Sequence, residues 1–203
     1  MTSEPTTLVA ASVAASWGPL MVAATVRGVV AVELLADRDG FASALRQRLH
    51  QDLRWIEPGE HGRDGPQNRA LTHLWAAIAF LSTSDPSVTP DGIPLDLEDR
   101  PDWDRAVLGA VRAIPRGGTR SYGDIARAIG RPGAARAVGG AVGRNPIALI
   151  IPCHRVIAAD GTLGGYGGGW WGDRERLLGL KAELLALEGN RVRRRQSQPR
   201  SRL

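Results

Sequence analysis

The sequence predicts an α+β protein with a strand-containing N-terminal domain and a mostly helical C-terminal domain. Two β-branched runs in the first half, Leu20 to Thr25 and Gly28 to Leu34, are typical of strands. Ser84 to Pro101 is rich in proline and acidic residues, a composition typical of a linker. Beyond this linker, short apolar-periodic segments alternate with glycine-containing turns, which indicates helices. The 203 residues are enough for two small domains.

The N-terminal half predicts a hairpin followed by two helices. Arg27-Gly28 separates the two β-branched runs and indicates a β-hairpin. Phe41 to His50 predicts one helix, and Gln67 to Leu81 predicts a second because its apolar residues recur at helical spacing. We expect this domain to comprise residues 1–98, with the acidic linker at its end and one short strand at Ile93 to Leu97.

The C-terminal domain is predicted to span residues 101–189 and to contain a helix-turn-helix. Trp103 to Ile114 has the periodicity of an amphipathic helix. Two further helices, Tyr122 to Ile129 and Ala134 to Arg144, are joined by the turn Gly130 to Gly133. Two helices joined by a short glycine-containing turn are the pattern of a helix-turn-helix.

Local features of these two helices point to their roles. Ser121 and Asp124 have the spacing of a capping box at the start of the first. The second holds three glycines, each of which costs about 1 kcal/mol relative to alanine in a helix interior. Either tight helix packing needs such small residues, or a bulky partner approaches closely with Arg136 projecting towards it. Eight arginines and one acid between Arg112 and Arg155 favour DNA as that partner.

The net charge of +5 hides an uneven distribution. Residues 1–100 carry 8 basic and 13 acidic side chains, residues 101–190 carry 12 and 8, and residues 191–203 carry 6 and none. Residues 190–203 are therefore predicted to form a basic disordered tail. The local excess around the predicted helix-turn-helix indicates DNA binding better than the whole-chain charge does.

The cysteine, apolar and histidine content excludes several classes of protein. A single cysteine forms neither an internal disulfide nor a cysteine-rich zinc site, and it indicates a reducing compartment. The first basic residue is Arg27, so no signal peptide is predicted, and no run of about 18 apolar residues predicts a membrane span. Because His50, His61 and His73 are scattered, we expect no metal site. The expectation is a cytoplasmic protein that does not bind membranes.

The single cysteine, Cys153, follows the apolar run Ile147 to Ile151, which predicts a buried extended segment. Most lone cysteines in apolar surroundings are small core residues. The neighbours His154 and Arg155 favour a reactive thiol instead, because both can lower a thiol pKa. Adjacent side chains of an extended chain point to opposite sides, so we expect a bridging water to carry the proton from Cys153 to His154.

The segment Ile151 to Val156 resembles the PCHRV signature of the O6-alkylguanine-DNA alkyltransferases, the methylated-DNA-[protein]-cysteine S-methyltransferase family. The resemblance runs from Trp103 to Gly189 and is fainter in the N-terminal half. Four further segments resemble, in order, the family's entry into the helix-turn-helix, its recognition helix, its asparagine hinge and its pocket loop: Thr119 to Tyr122, Ala134 to Gly139, Gly143 to Pro146, and Gly164 to Gly168.

The resemblance implies a fold, an activity and a partner. The fold is a small ribonuclease H-like α/β domain followed by a mostly helical domain with a winged-helix-like helix-turn-helix. The activity is direct DNA repair, in which the methyl or alkyl group of O6-alkylguanine is transferred to the protein's own cysteine after base flipping. The resemblance leaves open whether O4-alkylthymine is a further substrate. The partner is double-stranded DNA, the protein is a monomer, and no cofactor is implied.

The resemblance also assigns roles to individual residues. Cys153 is the alkyl acceptor, and His154 is its water-linked base. The remaining catalytic residues are Glu188, which orients the histidine, and Asn145, which braces the helix and the active site. DNA binding is assigned to Arg136 as the intercalating finger, Tyr122 beside the flipped nucleotide, and Ser121, Ala135 and Arg144. The substrate pocket is assigned to Tyr166, Val156, Arg155 and Trp103.

Two departures from the family pattern bear on the site. Lys181 to Gly189 fits the family's K-x-x-L-L-x-x-E-G pattern and makes Glu188 the acid, but it requires an insertion of eight residues, Trp170 to Leu177. An alternative alignment places Lys181 where the acid belongs. The second departure is Ala148, where the family usually has proline, which predicts a roomier pocket wall.

Two other functions are compatible with these residues. A non-catalytic sensor would bind alkylated DNA for other repair proteins, although the family's sensors lack the cysteine. A Cys-His hydrolase would turn over many times, whereas an alkyl acceptor stops after one equivalent.

Overall fold

The computed structural model describes residues 8–15, 18–57, 60, 66–83, 85, 87–167, 173–190 and 192, without the side chains of residues 66–68. The predictions for His61 and Gly168, for the first part of the Trp170–Leu177 insertion and for nearly all of the tail lie outside the described residues. The chain divides into two compact units. The first is drawn from residues 1–106 and 145–151, and the second from residues 107–144 and 152–203.

The first unit is built on a four-stranded sheet of order β3-β2-β1-β4, with bounds β1 Leu8–Ala15, β2 Gly18–Thr25, β3 Gly28–Leu34 and β4 Leu53–Trp55. β2 and β3 pair antiparallel, which confirms the predicted hairpin. β1 pairs antiparallel with β2, and the short β4 pairs parallel with β1. The sequence did not predict β1 or β4, because β1 is half alanine, which is a weak strand former.

Two helices accompany this sheet, α1 (Arg38–Leu49) and α2 (Pro66–Ser82), and both were predicted within three residues. Phe41 and Leu45 of α1 are buried against the strands in one hydrophobic cluster. His50 ends α1 in the left-handed conformation, and the Nδ1 atom of His73 lies 3.1 Å from the Thr25 carbonyl oxygen. Both histidines therefore have structural places in the fold.

The segment before Cys153 is buried, as predicted, but it is not a continuous extended strand. Ile147 lies opposite Val32 of β3. The Val32 N–H donates to the Pro146 carbonyl at 2.9 Å, and the Ala148 N–H donates to the Val32 carbonyl at 3.1 Å. The chain then turns at Leu149, whose φ is +69°, and the Ile151 N–H donates to the Ile147 carbonyl at 2.9 Å. The predicted strand at residues 93–97 is likewise reduced to a single bridge between Leu95 and Val29.

The second unit is mostly helical. The helix α3 (Asp102–Arg112) crosses the boundary between the units, and its second half belongs to this one. The other elements are β5 Arg120–Ser121, α4 Tyr122–Ala128, α5 Ala135–Gly143, β6 Val156–Ile157 and α6 Arg174–Leu187. β5 and β6 pair parallel, and α4 packs against α5. The Ser121 hydroxyl accepts from the Asp124 N–H and the Asp124 carboxylate accepts from the Ser121 N–H, so the capping box is confirmed. The mixed α+β class predicted from the sequence is also confirmed.

None of the described helices is long and apolar enough to cross a bilayer.

Candidate active site

Cys153 begins a single 3-10 turn, Cys153–Arg155, that leads directly into β6. The Arg155 N–H donates to the Pro152 carbonyl at 2.9 Å and closes the turn. The expectation that Cys153 and His154 alternate along an extended chain is therefore wrong, because successive residues of a 3-10 turn are about 120° apart around its axis. Both residues are buried: as whole residues, Cys153 is 7% exposed and His154 is 2% exposed.

The cysteine lines a cavity of about 110 Å³ whose walls come from α4, α5 and the loop before α6. The residues that line it are Tyr122, Gly139, Val142, Gly143, Cys153, Gly165, Tyr166 and Gly167. Three of them lie on one face of α5, because positions 139, 142 and 143 are three and four residues apart. Two of the three α5 glycines thus border the cavity, which gives a reason for residues that otherwise weaken a helix.

The loop that closes the cavity, Gly164 to Gly167, depends on glycine at its first position. Gly164 has φ +67°, and a Cβ there would lie 3.2 Å from the ring and hydroxyl of Tyr122. Gly165 has no atom within 4 Å of such a Cβ. The close approach of the loop to Tyr122 therefore requires a residue without a side chain at 164.

His154 and Glu188 form a buried hydrogen-bonded pair. The His154 Nε2 atom lies 3.0 Å from Glu188 Oε1, and their side chains are 3% and 6% exposed. Burial raises the pKa of Glu188, but hydrogen bonds from His154 and Arg155 outweigh it and bring the pKa to about 2. Because an ionised carboxylate only accepts, Nε2 carries the proton and donates to it. The Nδ1 atom is then the unprotonated nitrogen, and it has no hydrogen-bond partner among the described residues.

Burial keeps the His154 imidazole neutral. Burial is the largest influence on its pKa and lowers it, and the hydrogen bond to Glu188 offsets part of that effect. A neutral imidazole with a free acceptor nitrogen is a general base.

Arg155 holds Glu188 from the other side. Its Nε and one terminal nitrogen donate to the two carboxylate oxygens at 2.9 and 2.8 Å, and its other terminal nitrogen donates to the Ile114 carbonyl at 2.6 Å. The Gly117 N–H also donates to Glu188 Oε2 at 3.3 Å. Of the residues expected in the pocket, Tyr166 lines the cavity. Arg155 is not among the described residues that line it and binds the Glu188 carboxylate instead.

Val156 and Trp103 are likewise not among the residues that line the cavity within the described part of the chain. The Val156 carbonyl accepts a hydrogen bond from Lys181 at 2.5 Å, and Trp103 lies in the first turn of α3.

Two tyrosines flank the cysteine. Burial raises the pKa of Tyr122, and burial together with the neighbouring Cys153 raises the pKa of Tyr166 well above its ordinary value. Both phenols therefore stay protonated at neutral pH and can donate a hydrogen bond to a ligand in the cavity.

The residues expected to bind DNA occupy α4, α5 and their ends. Arg136 is exposed on α5, Ala135 is the first residue of that helix, and Arg144 follows its last residue. Ser121 is the N-cap of α4, and Tyr122 is its first residue.

Asn145 belongs to the first unit, where its amide closes the turn that leads to Pro152. Its Nδ2 atom donates to the Ile151 carbonyl at 2.9 Å, and its Oδ1 atom accepts from the Ile147 N–H at 3.0 Å. Ala148, in the same turn, donates its N–H to the Val32 carbonyl at 3.1 Å. A proline at this position has no N–H to donate, so the departure from the family pattern adds a backbone hydrogen bond here.

Sequence reasoning missed the place of Lys181, which is fully buried and donates to three backbone carbonyls. The signal in the sequence is that this is the single lysine among 26 basic residues. Among the described residues, no group of three or more histidine, cysteine or acidic side chains is placed to hold a metal ion.

A buried cysteine that lines a cavity, next to a neutral histidine held by a carboxylate, is an arrangement typical of proteins with an activated cysteine nucleophile. The comparisons with known proteins narrow this class. The family model described as "6-O-methylguanine DNA methyltransferase, DNA binding domain" matches residues 102–190.

Curated relatives extend the similarity beyond that domain. A methylated-DNA–protein-cysteine methyltransferase of Methanosarcina acetivorans is 35% identical over 173 residues, which cover 85% of this chain and 93% of the relative. One of Mycolicibacterium paratuberculosis is 54% identical over 101 residues, or 50% of this chain. The chain spans little more than half the length of this mycobacterial relative, 56%.

Solved structures share the fold. The crystal structure of Mycobacterium tuberculosis OGT in complex with DNA has a TM-score of 0.62 and 34% identity, and the match covers 90% of this chain and 99% of that one. The O6-methylguanine-DNA methyltransferase of Pyrococcus kodakaraensis has a TM-score of 0.57 at 23% identity. The chain belongs to the methylated-DNA–protein-cysteine methyltransferase family.

Proposed function

We propose that this protein repairs DNA directly by transferring the methyl or alkyl group of O6-alkylguanine to its own Cys153. The observation that carries the proposal is the position of Cys153, which lines a cavity and is followed by the buried His154–Glu188 pair. A Mycobacterium tuberculosis relative of similar fold is described in complex with DNA, which supports DNA as the partner. The established names of the curated relatives support the transfer reaction.

The transfer is a displacement at the alkyl carbon. The Cys153 thiolate attacks the carbon, a carbon–sulfur bond forms, and the bond between that carbon and guanine O6 breaks. The electron pair of that bond stays on the guanine, which takes up one proton and is restored in the DNA. The product thioether cannot be displaced by water under mild conditions, so each protein acts once and needs no cofactor.

His154 receives the thiol proton in this proposal. Its Nδ1 atom is buried and unpartnered among the described residues, and we place an ordered water between this nitrogen and the sulfur to carry the proton. Glu188 keeps the proton on Nε2 and stabilises the imidazolium that forms, as a buried carboxylate does in a catalytic triad. Asn145 fixes the turn that delivers the cysteine.

DNA enters through α4 and α5, which we assign as the helix-turn-helix. The O6-alkyl carbon of a stacked base is out of reach, so the nucleotide must be flipped, at a cost of a few kcal/mol. The exposed Arg136 fills the vacated stack, and the small residues of α5 let the helix approach a minor groove. Tyr122 crowds the phosphate of the flipped nucleotide, and Ser121, Ala135 and Arg144 contact the backbone.

The cavity receives the flipped base. Tyr166, which lines the cavity, contacts the guanine edge in this proposal. O4-alkylthymine, which presents an alkylated oxygen in the same position of a smaller base, is the second substrate we assign. The insertion at Trp170 to Leu177, whose last four residues belong to α6, adjusts which alkyl groups are accepted.

The finer fold assignments belong to the same proposal. We assign residues 1–98 to a ribonuclease H-like domain and residues 101–189 to a winged-helix-like DNA-binding and alkyl-acceptor domain. We further assign the protein as a cytoplasmic monomer.

Mass spectrometry after incubation with O6-methylguanine DNA tests the proposal. One added methyl group on the peptide containing Cys153 is the expected result. An unmodified cysteine in a protein that still binds the DNA would identify a lesion sensor instead, and more than one product per protein would identify a turnover enzyme.

A further inference from the structure

Lys181 is the single lysine of a chain that uses arginine for its 25 other basic residues. It lies on α6 and is 0% exposed. Its Nζ atom donates to the carbonyls of Val156 at 2.5 Å, Leu163 at 2.7 Å and Gly165 at 2.9 Å. An ammonium group has three donors on one atom, which three converging carbonyls satisfy, whereas a guanidinium spreads five donors in one plane. The site therefore selects lysine in an arginine-rich chain.

The three carbonyls belong to the segments on either side of the cysteine cavity. Val156 follows the turn that begins at Cys153, and Leu163 and Gly165 lie in the loop that leads to Tyr166. The Nζ atom also lies 5.9 Å from the centre of the Tyr166 ring, within the range of a cation–π contact. One buried side chain thus joins the segment that carries the sulfur to the loop that closes the cavity.

The ammonium of Lys181 is held beside the segment that carries Cys153, because the Val156 carbonyl that it binds lies three residues beyond the cysteine. Burial lowers the pKa of Lys181 to about 8, and the cysteine, as a thiolate, acts in the opposite direction. This interaction is an attraction between the single lysine and the single cysteine of the chain. By reciprocity, the same attraction favours the thiolate over the thiol.

The other charged or titratable groups around Cys153 do not supply a positive charge that could stabilise its thiolate. The positive charge of Arg155 is paired with Glu188, and His154 is neutral. The remaining titratable neighbours, Tyr122 on α4 and Tyr166 on the loop, are phenols with raised pKa values. No carboxylate forms an ion pair with Lys181 in the part of the chain that the structure describes.

We propose that Lys181 is a positioning residue of the alkyl-acceptor site: its ammonium fixes the cavity loop through three carbonyls, and its charge stabilises the Cys153 thiolate. The proposal rests on the proposed function for its biological meaning. Both effects are nevertheless measurable without DNA, so the two proposals can fail separately.

The unmodified chain offers the first test, because a protein with one lysine gives one side-chain signal in an NMR spectrum of ¹⁵N-lysine-labelled protein. Iodoacetamide is used to alkylate Cys153: the sulfur bonds to the CH₂ carbon and iodide leaves, which removes the negative charge. We expect the Lys181 signal to titrate at lower pH after this reaction than before it. Identical titrations before and after alkylation would overturn the proposal.

Variants offer the second test. Thiolate formation is followed by absorbance at 240 nm, and the rate of reaction with iodoacetamide is measured across pH. In Lys181→Met we expect the thiol to titrate at higher pH and to react about tenfold more slowly at neutral pH, since one pKa unit is a tenfold change in thiolate. Lys181→Arg keeps the charge but not the three-carbonyl geometry, so we expect it to shift the thiol titration less than Lys181→Met does. Glu183→Gln, which removes a charge from the exposed side of the same helix, is the control.

A folded Lys181→Met protein with an unchanged thiol titration would contradict the proposal, because a merely structural lysine would affect stability alone. If that variant does not fold, the NMR titration of Lys181 before and after alkylation of Cys153 tests the proposal instead. If the unmodified chain takes no methyl group from O6-methylguanine DNA, the proposed function fails while the link between lysine and thiol is still measured.

Discussion

The Nε2 atom of His154 donates a hydrogen bond to Glu188, 3.0 Å away, and both side chains are buried. The partners are 34 positions apart in the sequence. Because the carboxylate fixes which imidazole nitrogen is protonated, it determines that Nδ1 is the nitrogen available to accept a proton.

Replacing Glu188 by glutamine tests this relationship. An amide no longer holds the imidazole in one tautomer, and we expect alkyl transfer to slow by about a hundredfold, in the range of general-base effects. Stopped-flow or quenched single-turnover assays with O6-methylguanine DNA measure the rate. Glu183→Gln, on the exposed face of the same helix, is the control and should transfer at the wild-type rate. Equal rates in both variants would show that Glu188 does not act through His154.

The buried imidazole makes stability depend on pH. Because burial lowers the pKa of His154 from 6.5, the unfolded chain binds a proton more readily than the folded protein does. The stability that the neutral histidine contributes is therefore present above about pH 6.5 and is lost as the pH falls below it. Urea unfolding of wild type and His154→Gln between pH 8 and 5 measures this, with Glu188 ionised throughout. We expect the stability of wild type relative to the variant to decrease towards pH 5, and a constant difference would contradict the account.

Glu33 on β3 has the opposite pH dependence. Burial raises its pKa from 4.5 to about 8, although Arg48 acts against this shift. The folded protein therefore holds the proton more tightly than the unfolded chain, and the resulting stability is present below about pH 4.5 and is lost as the pH rises to about 8. Urea unfolding of Glu33→Gln should show the variant gaining stability relative to wild type over this range. A difference between the variant and wild type that stays flat across this range would contradict the raised pKa of Glu33.

The cavity loop gives a prediction with a neighbouring control. Gly164→Ala places a Cβ 3.2 Å from Tyr122 on a backbone with φ +67°, and we expect it to destabilise the protein by about 1 kcal/mol or more. Gly165→Ala has open space at the Cβ and should change stability much less. Thermal or urea unfolding compares the two, and equal losses would mean that contact with Tyr122 does not constrain the loop.

Local signals account for what the sequence predicted correctly. The capping box at Ser121 and the glycine-containing turn before α5 are written in neighbouring residues, and so is the hairpin at Arg27-Gly28. β1 instead forms by pairing with β2 and β4, and its alanine-rich sequence does not predict this pairing. The turn at Leu149 needs a positive φ that leucine rarely adopts, so no residue pattern indicated it.

The chemistry of the site could be predicted only in part from the sequence, because some of its contacts join residues that are distant along the chain. The Cys153-His154 motif and Glu188 were found by resemblance to a family pattern. The partners of Arg155, which are Glu188 and the Ile114 carbonyl, depend on three-dimensional packing. The burial of Lys181 could be suspected from composition alone, because lysine is used once where arginine is used 25 times.

The central claim is that Cys153 accepts the alkyl group, and stoichiometric transfer tests it most directly. The protein is incubated with an excess of double-stranded O6-methylguanine DNA, and the mass of the cysteine peptide and the amount of restored guanine are measured together. The account predicts one methyl group on Cys153 and one guanine restored per protein, with DNA binding but no transfer in Cys153→Ser. An unmodified Cys153 in the presence of bound DNA, or restoration of several guanines per protein, would contradict it.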